Sequence, residues 1–227
     1  MIIRLFFEKE TSTLTYIVVS NGEAVIIDPV VSQTEQYMTR LKEMGVTLKY
    51  VLDTHVHADH ITASGKLREL TGCETILGEH TANQCVSKKV KDGEQFSVGE
   101  LTFTTIETPG HTNDSVCYYI PGYVFTGDTL LVRSTGRTDF QSGSVEESYN
   151  NIVKKLFTLP EETVIYPGHD YRGETASTIR EEKLFNPRLA GKTYAEYAEI
   201  MNNLNLDRPK YMDVAVPANL QCGQKWK

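Results

Sequence analysis

The feature that most constrains this chain is His55-Val56-His57-Ala58-Asp59-His60, set directly after a short apolar run from Lys49 to Asp53. That run reads as a buried strand. In extended backbone, residues two apart point the same way, so His55 and His57 can converge on one point. A helix predicted from Thr62 to Leu70 requires a turn, which can aim Asp59 and His60 at an adjacent point. Three later residues sit in equivalent settings, each just past a predicted strand. His111 lies in Thr108-Pro109-Gly110-His111-Thr112, Asp128 follows Phe125-Thr126-Gly127, and His169 follows Tyr166-Pro167-Gly168. Imidazole and carboxylate are donors that suit zinc, iron or manganese. A single histidine in a chain is usually an ordinary core or surface residue. An HxHxDH run with three strand-end partners is read as a metal constellation, with residues enough for one ion or two.

The rest of the pattern tells what frame carries these residues. Leu14 to Ser20 and Glu23 to Asp28 are β-rich and joined by Asn21-Gly22, a two-residue hairpin signal. Ser32 with Glu35 predicts a capped helix that stops at Gly45. Further strands are expected at Glu74–Leu77, Leu101–Glu107, Val116–Ile120, Val124–Thr126 and Thr163–Tyr166. Further helices are expected from Ser144 to about Phe157, at Glu174–Phe185 and at Tyr194–Leu204. Strand pairs punctuated by helices suit an α/β arrangement of two mixed sheets with helices on the outer faces. The opening hairpin excludes a purely parallel doubly wound sheet. The reading is one domain, residues 1–227, with a helical tail from about residue 170.

Composition narrows the partners. The 30 acidic against 23 basic residues give a formal charge of −7, which disfavours nucleic acid. A small anion held by a few local arginines stays compatible. No run approaches the roughly 18 apolar residues of a membrane helix, and Met1 to Leu5 leads straight into a strand-like pattern. Cys73, Cys85, Cys117 and Cys222 are far apart with no CxxC pair, so they are expected to be ordinary thiols in a reducing compartment. The chain as given reads as cytoplasmic, and a processed protein of the mitochondrial matrix would look the same. Tyr118-Tyr119 alternates along a strand and reads as core.

The metal motifs resemble those of the metallo-β-lactamase superfamily, which implies an αβ/βα sandwich with the site at the strand ends. Three further segments resemble the glutathione persulfide dioxygenases (sulfur dioxygenases) within it. They are Gly136-Arg137-Thr138-Asp139-Phe140-Gln141 with Gly143, then Tyr166 to Tyr171 continuing through Asn186-Pro187-Arg188-Leu189, and the tail from Met201 to Leu206 with Ala215 to Asn219 and Cys222-Gly223. Thr112-Asn113-Asp114 departs from the small-residue stretch usual after that histidine. The resemblance implies one Fe(II) per chain, held by His55, His111 and Asp128, a face that leaves adjacent positions open on non-haem iron. His57, Asp59, His60 and His169 would be outer residues that orient ligands and tune their basicity. The substrates would be glutathione persulfide and O₂, the products sulfite and glutathione, and the assembly, if any, a homodimer. Glutathione carries two carboxylates, which favour arginine forks. Arg137 is the first candidate, with Tyr171 and Arg172 next. Cys222 is expected to be a buried inert thiol. The competing readings are a glyoxalase II-type two-metal thioester hydrolase and a metal-binding protein without catalysis.

Overall fold

A computed structural model describes residues 1–224. Two six-stranded sheets face each other. The first contains β1 (Ile2–Glu8), β2 (Thr13–Ser20), β3 (Glu23–Ile27), β4 (Thr47–Leu52), β5 (Glu74–Gly78) and β6 (Lys88–Val90), hydrogen-bonded in that order. The second contains β7 (Gln95–Val98), β8 (Leu101–Glu107), β9 (Val116–Ile120), β10 (Tyr123–Gly127), β11 (Val164–Pro167) and β12 (Ser177–Thr178), again in chain order. Both sheets are mixed: β3 to β6 pair in parallel after an antiparallel start, and β10 pairs β11 in parallel. The β2–β3 hairpin pairs Ser20 with Glu23, and positive φ at Asn21 and Gly22 makes the tight two-residue turn.

Alternation along the strands divides the core into layers. Tyr16, Val18, Val25, Ile27, Leu52, Phe103, Tyr118 and Phe125 fill the space between the sheets. Residues of the opposite parity, Ile17, Val19, Ile26 and Val51, meet Tyr37 and Leu41 of α1 (Thr34–Met44) and Leu67 of α2 (Ser64–Thr71) on one outer face. On the other, Cys117, Val124 and Ile165 meet Ile152 of α3 (Val145–Lys154), Ile179 of α4 (Ile179–Phe185), and Tyr197 and Met201 of α5 (Tyr194–Asn202). Tyr118 is therefore inner core and Tyr119 packs outward against the helix layer. The result is the αβ/βα sandwich.

Several local expectations change. Ser32 does not cap α1: Val31–Gln33 forms a 3-10 turn, the helix begins at Thr34, and no side chain caps it. Ser144 does cap α3, accepting from Glu147 N at 3.2 Å. The helix expected from Glu174 is limited to Ile179–Phe185, because residues 177–178 first pair with β11. The tail holds one more helix, α6 (Met212–Asn219), despite Pro217 inside it. Cys85 and Cys222 are not thiols but a disulfide, which removes the cysteine argument for a reducing compartment. Cys73 and Cys117 are free and buried. Among the described residues, no helix is long and apolar enough to cross a membrane.

Candidate metal centre

The strand ends of both sheets open on one point. His55 arrives from β4, His111 from the loop after β8, Asp128 from the end of β10, and His169 from the end of β11. One ligand atom each from His55, His111 and Asp128 lies within 4.8 Å of the other two, and His111 Nε2 is 3.6 Å from Asp128 Oδ2.

Hydrogen bonds decide which atoms face that point. Thr54 Oγ1 donates to Asp28 Oδ2 at 3.0 Å, so it accepts from His55 Nδ1 at 3.0 Å and leaves His55 Nε2 as the lone-pair donor. His111 Nδ1 donates to the Arg137 carbonyl at 2.7 Å, freeing its Nε2 in the same way. His169 Nδ1 donates to Asp128 Oδ1 at 2.6 Å, leaving Asp128 Oδ2 toward the site. Each of the three candidate ligands thus has its outward atom fixed by a neighbour and its inward atom free.

Charge follows the same layout. Burial, reinforced by His57 and His111, pushes His55 down to about 3, and burial with His60 pushes His57 down to about 4. Both rings are therefore neutral, the form that binds metal. Burial alone would raise Asp128, but the His169 charge and hydrogen bond, with His111 and His55, hold it well below the usual carboxylate range. Burial opposes charge on His169 too, but Asp128 and Asp59 on either side raise it well above the ordinary value. Two neutral imidazoles and one carboxylate are a chemically suitable donor set for a divalent transition metal.

His57, Asp59 and His60 form a second group, tied up differently. His57 Nε2 donates to Asp28 Oδ1 at 3.0 Å. Asp59 Oδ2 accepts from Thr13 Oγ1 at 3.2 Å, His60 Nδ1 at 2.8 Å and His169 Nε2 at 3.1 Å. One carboxylate oxygen with three donors is well occupied. His57 Nδ1 and His60 Nε2 are buried and unpartnered among the described residues, the one observation that a second ion would account for.

The segment Gly136 to Gly143 acts mainly through its backbone. A Cβ on Gly136 would come within 2.8 Å of His111 Nδ1 and 2.2 Å of the Asp128 carbonyl, so only glycine lets this loop run under His111 and Asp128. Gln141 Nε2 donates to the Val56 carbonyl at 2.6 Å. Arg137, expected to face substrate, lines the adjacent cavity but has its fork on Asp139, at 2.6 and 2.8 Å, and on the Asp207 carbonyl at 2.6 Å. Tyr171 is 70% exposed and stacks on His169 with centroids 5.6 Å apart. Arg172 lines the same cavity.

Sequence reasoning gave no role to four supporting residues, although two of them, Arg188 and Asn219, lie in segments quoted above for their resemblance. Asp28 holds both His57 and Thr54, and burial pushes it up to about 6 against the pull of His55. Thr13 reaches Asp59. Asn219 of α6 donates to the carbonyls of His57 at 2.9 Å and His60 at 2.8 Å and accepts from Thr62 N at 2.9 Å. Arg188, half-buried in the cavity wall, donates to the Thr135 carbonyl at 2.7 Å and has no carboxylate partner among the described residues. Burial lowers its guanidinium from the usual value against the pull of Tyr197, and nearby Arg172 adds to that lowering. The cavity has a volume of about 530 Å³ and also takes in Ala58, His111, Asp128, Leu131 and His169.

The family model of the metallo-beta-lactamase superfamily matches residues 9–85 and 86–169. The chain belongs to that superfamily. Within it, the chain is 42% identical to the human "Persulfide dioxygenase ETHE1, mitochondrial" over 98% of its own length and 89% of the relative's, which places it in the persulfide dioxygenase family. The crystal structure of ETHE1 from Myxococcus xanthus superposes with a TM-score of 0.96 at 50% identity, covering 98% of this chain and all of that one. A metallo-beta-lactamase from Staphylococcus aureus superposes with a TM-score of 0.91 at 21% identity, covering all of this chain and 74% of that one, a likeness of fold alone. Both matches cover nearly the whole chain, so they take in the loop around Gly136 and the tail around Asn219 as well as the sandwich.

Proposed function

We propose that this protein is a persulfide dioxygenase that oxidises glutathione persulfide with O₂ and water to sulfite and glutathione at a single Fe(II). The observation that carries the reading is the His55, His111 and Asp128 group, beside a cavity whose wall presents Arg188, which has no carboxylate partner among the described residues. A family relationship over nearly the whole chain supports the same assignment. A bound iron would supply the redox path between sulfur and dioxygen that zinc lacks.

The chain's own residues set up that chemistry. Thr54 and the Arg137 carbonyl fix the rings of His55 and His111 so that only one nitrogen of each faces the centre. His169, charged between Asp128 and Asp59, orients the carboxylate and keeps it ionised. A cavity of about 530 Å³ lies within the range of small-molecule sites, and Leu131 and Ala58 give it apolar lining next to the ligands. Arg188 and Arg172 supply positive charge on the wall of the same cavity. We assign to them the glutathione carboxylates, with Tyr171 beside them, while Arg137 braces the wall through Asp139.

Arg188→Ala should raise KM for glutathione persulfide about 10- to 100-fold with a smaller change in kcat. It removes a charge-assisted hydrogen bond worth about 1.5–3 kcal/mol, remote from the reacting sulfur. Steady-state kinetics of Arg188→Ala beside Arg137→Ala checks this. A larger KM effect at Arg137 would return the carboxylate to Arg137.

A glyoxalase II-type hydrolase is the second reading, and the two unpartnered nitrogens of His57 and His60 are what favour it. Metal content separates the two. Protein produced without metal supplementation should contain about one iron per chain. Two metal ions per chain, with activity restored by zinc, would contradict the single-iron assignment.

A further inference from the structure

Arg188 is held by neutral groups, and on one side only. Its Nη1 donates to the Thr135 carbonyl at 2.7 Å and to Thr135 Oγ1 at 3.1 Å, with Met201 Sδ at 3.8 Å. Its Nε and Nη2 have no partner among the described residues, which leaves one edge of the guanidinium with two parallel N–H donors. The backbone beneath is fixed as well. Arg188 N donates to Asn186 Oδ1 at 3.0 Å, and Asn186 Nδ2 donates to the Ser134 carbonyl, next to Thr135, at 3.1 Å.

Thr135 Oγ1 carries more than this one bond. A hydroxyl has one hydrogen and two lone pairs. The hydrogen goes to Met201 Sδ at 3.6 Å, and Arg188 Nη1 takes one lone pair. The other lone pair accepts from the Tyr197 hydroxyl, 3.3 Å away, and Tyr197 in turn accepts from Ser148 Oγ at 2.8 Å. Thr135, Ser148 and Tyr197 are all buried. The Tyr197 ring packs in the apolar helix layer, where phenylalanine would fill the same space, so its hydroxyl is accounted for by these two bonds. The far end of the chain of bonds reaches the metal centre. Ser148 on α3 lies against Gly110, where a Cβ would come within 2.4 Å of Ser148 Cα. Ser144 N donates to the Gly110 carbonyl at 2.8 Å, and Asn151 Nδ2 donates to the Pro109 carbonyl at 2.8 Å. The helix that braces the chain just before His111 is thereby joined, through Tyr197 and Thr135, to the arginine of the cavity wall.

We propose that Tyr197 is a positioning residue for substrate, which through Thr135 aims the free Nε–Nη2 edge of Arg188, at a fixed reach from the metal centre, to take a substrate carboxylate in a two-bond fork. This role rests on the assignment of a glutathione carboxylate to Arg188 and adds what aims that arginine. A carboxylate matches the free edge with two parallel N–H···O bonds, which a point charge does not offer. The persulfide sulfur must reach the metal centre while its carboxylate sits in the fork, so the spacing between the two governs productive binding. Tyr197 touches neither end of the substrate. Without its hydroxyl the guanidinium samples more orientations, and binding must then order it.

Full-length iron-loaded protein and its variants are compared by steady-state kinetics with glutathione persulfide and by calorimetric binding of glutathione itself. Tyr197→Phe should raise KM and the glutathione Kd about 3- to 10-fold, the scale of one neutral hydrogen bond, with a smaller change in kcat. Thr135→Val should do the same, and Thr135→Ser, which keeps the hydroxyl, should return both constants close to those of the unchanged protein. In the Arg188→Ala background Tyr197→Phe should add nothing, because it acts only through that guanidinium. If Arg188→Ala raises KM and Kd while Tyr197→Phe changes neither, the positioning role is overturned and the carboxylate assignment stands. A Tyr197→Phe loss that persists in the Arg188→Ala background is a general loosening of the wall and overturns the role as well. If Arg188→Ala itself leaves both constants unchanged, the carboxylate assignment falls and the positioning role falls with it.

Discussion

Asp128→Ala should strip the metal and abolish turnover, the largest loss expected from any single substitution in this chain. Asp128 is the only anionic member of the group of three, and its charge is built in by His169 on one side with His111 and His55 on the other. Removing it leaves two neutral imidazoles, and it leaves His169 Nδ1 without its 2.6 Å acceptor. Asp128→Asn should behave almost as badly, because the amide can still accept from His169 but brings no charge to the metal. His169→Ala is the informative contrast. It removes an orienting partner and not a ligand, so metal affinity or activity should fall by about 10- to 100-fold and not to zero. Metal analysis after dialysis, with kinetics on the same preparations, reads both. Equal metal loss in Asp128→Ala and His169→Ala would make His169 a ligand.

The second large effect concerns stability, and it lies outside the metal shell. Glu182 of α4 is fully buried, and its carboxylate accepts from Arg133 Nη1, from Arg133 N at 2.9 Å, from Ser177 Oγ at 2.6 Å and from Asn186 Nδ2 at 2.8 Å. Arg133 itself sits at positive φ, which the carboxylate holds in place by bonding both its backbone and its side chain. Breaking a buried ion pair from one side costs about 3–5 kcal/mol, because the remaining charge loses its partner. Arg133 is partly exposed and keeps Glu181 at 3.1 Å, so Glu182→Ala should cost about 3 kcal/mol, the low end. For a chain of this size that corresponds to a fall in Tm of about 6–12 °C. Asn186 would lose its anchor too, and Arg188 two residues on should position substrate less well, raising KM. Thermal unfolding checks the first effect. A Tm within about 2 °C of the unchanged protein would mean that the pair adds no net stability.

The candidate metal residues were legible because histidine and aspartate at strand ends have few structural reasons to be there, and the strands themselves carry clear alternation. The layers obey the same alternation: with Tyr118 packed between the sheets, period two turns Tyr119 outward, a direction that the sequence alone left open. What stayed hidden depends on contacts between distant segments. Thr13, Asp28 and Asn219 are ordinary residues locally, and each matters only because the fold brings it against the HxHxDH turn from 46, 29 and 162 residues away. Arg137 stood out in its motif, yet its neighbour two positions on, Asp139, occupies its fork. Arg188 had no such local partner and became the better candidate only once its surroundings were visible. The motif around Gly136 is required because a loop must pass under His111 without a side chain, a constraint that no local propensity expresses. Cys85 and Cys222 had no spacing signal at all, because their pairing is set by how the tail returns to the β5–β6 loop.

The central claim is tested most directly by an oxygen electrode. Iron-loaded, reduced protein given glutathione persulfide should consume O₂ and release sulfite in equal amounts. Glutathione alone should give neither, because the outer sulfur is the atom oxidised. The same preparation should hydrolyse S-lactoylglutathione slowly or not at all, since such hydrolysis in a two-metal site uses a second ion to hold nucleophile and carbonyl. Rapid thioester hydrolysis with no persulfide-dependent oxygen uptake would contradict the account.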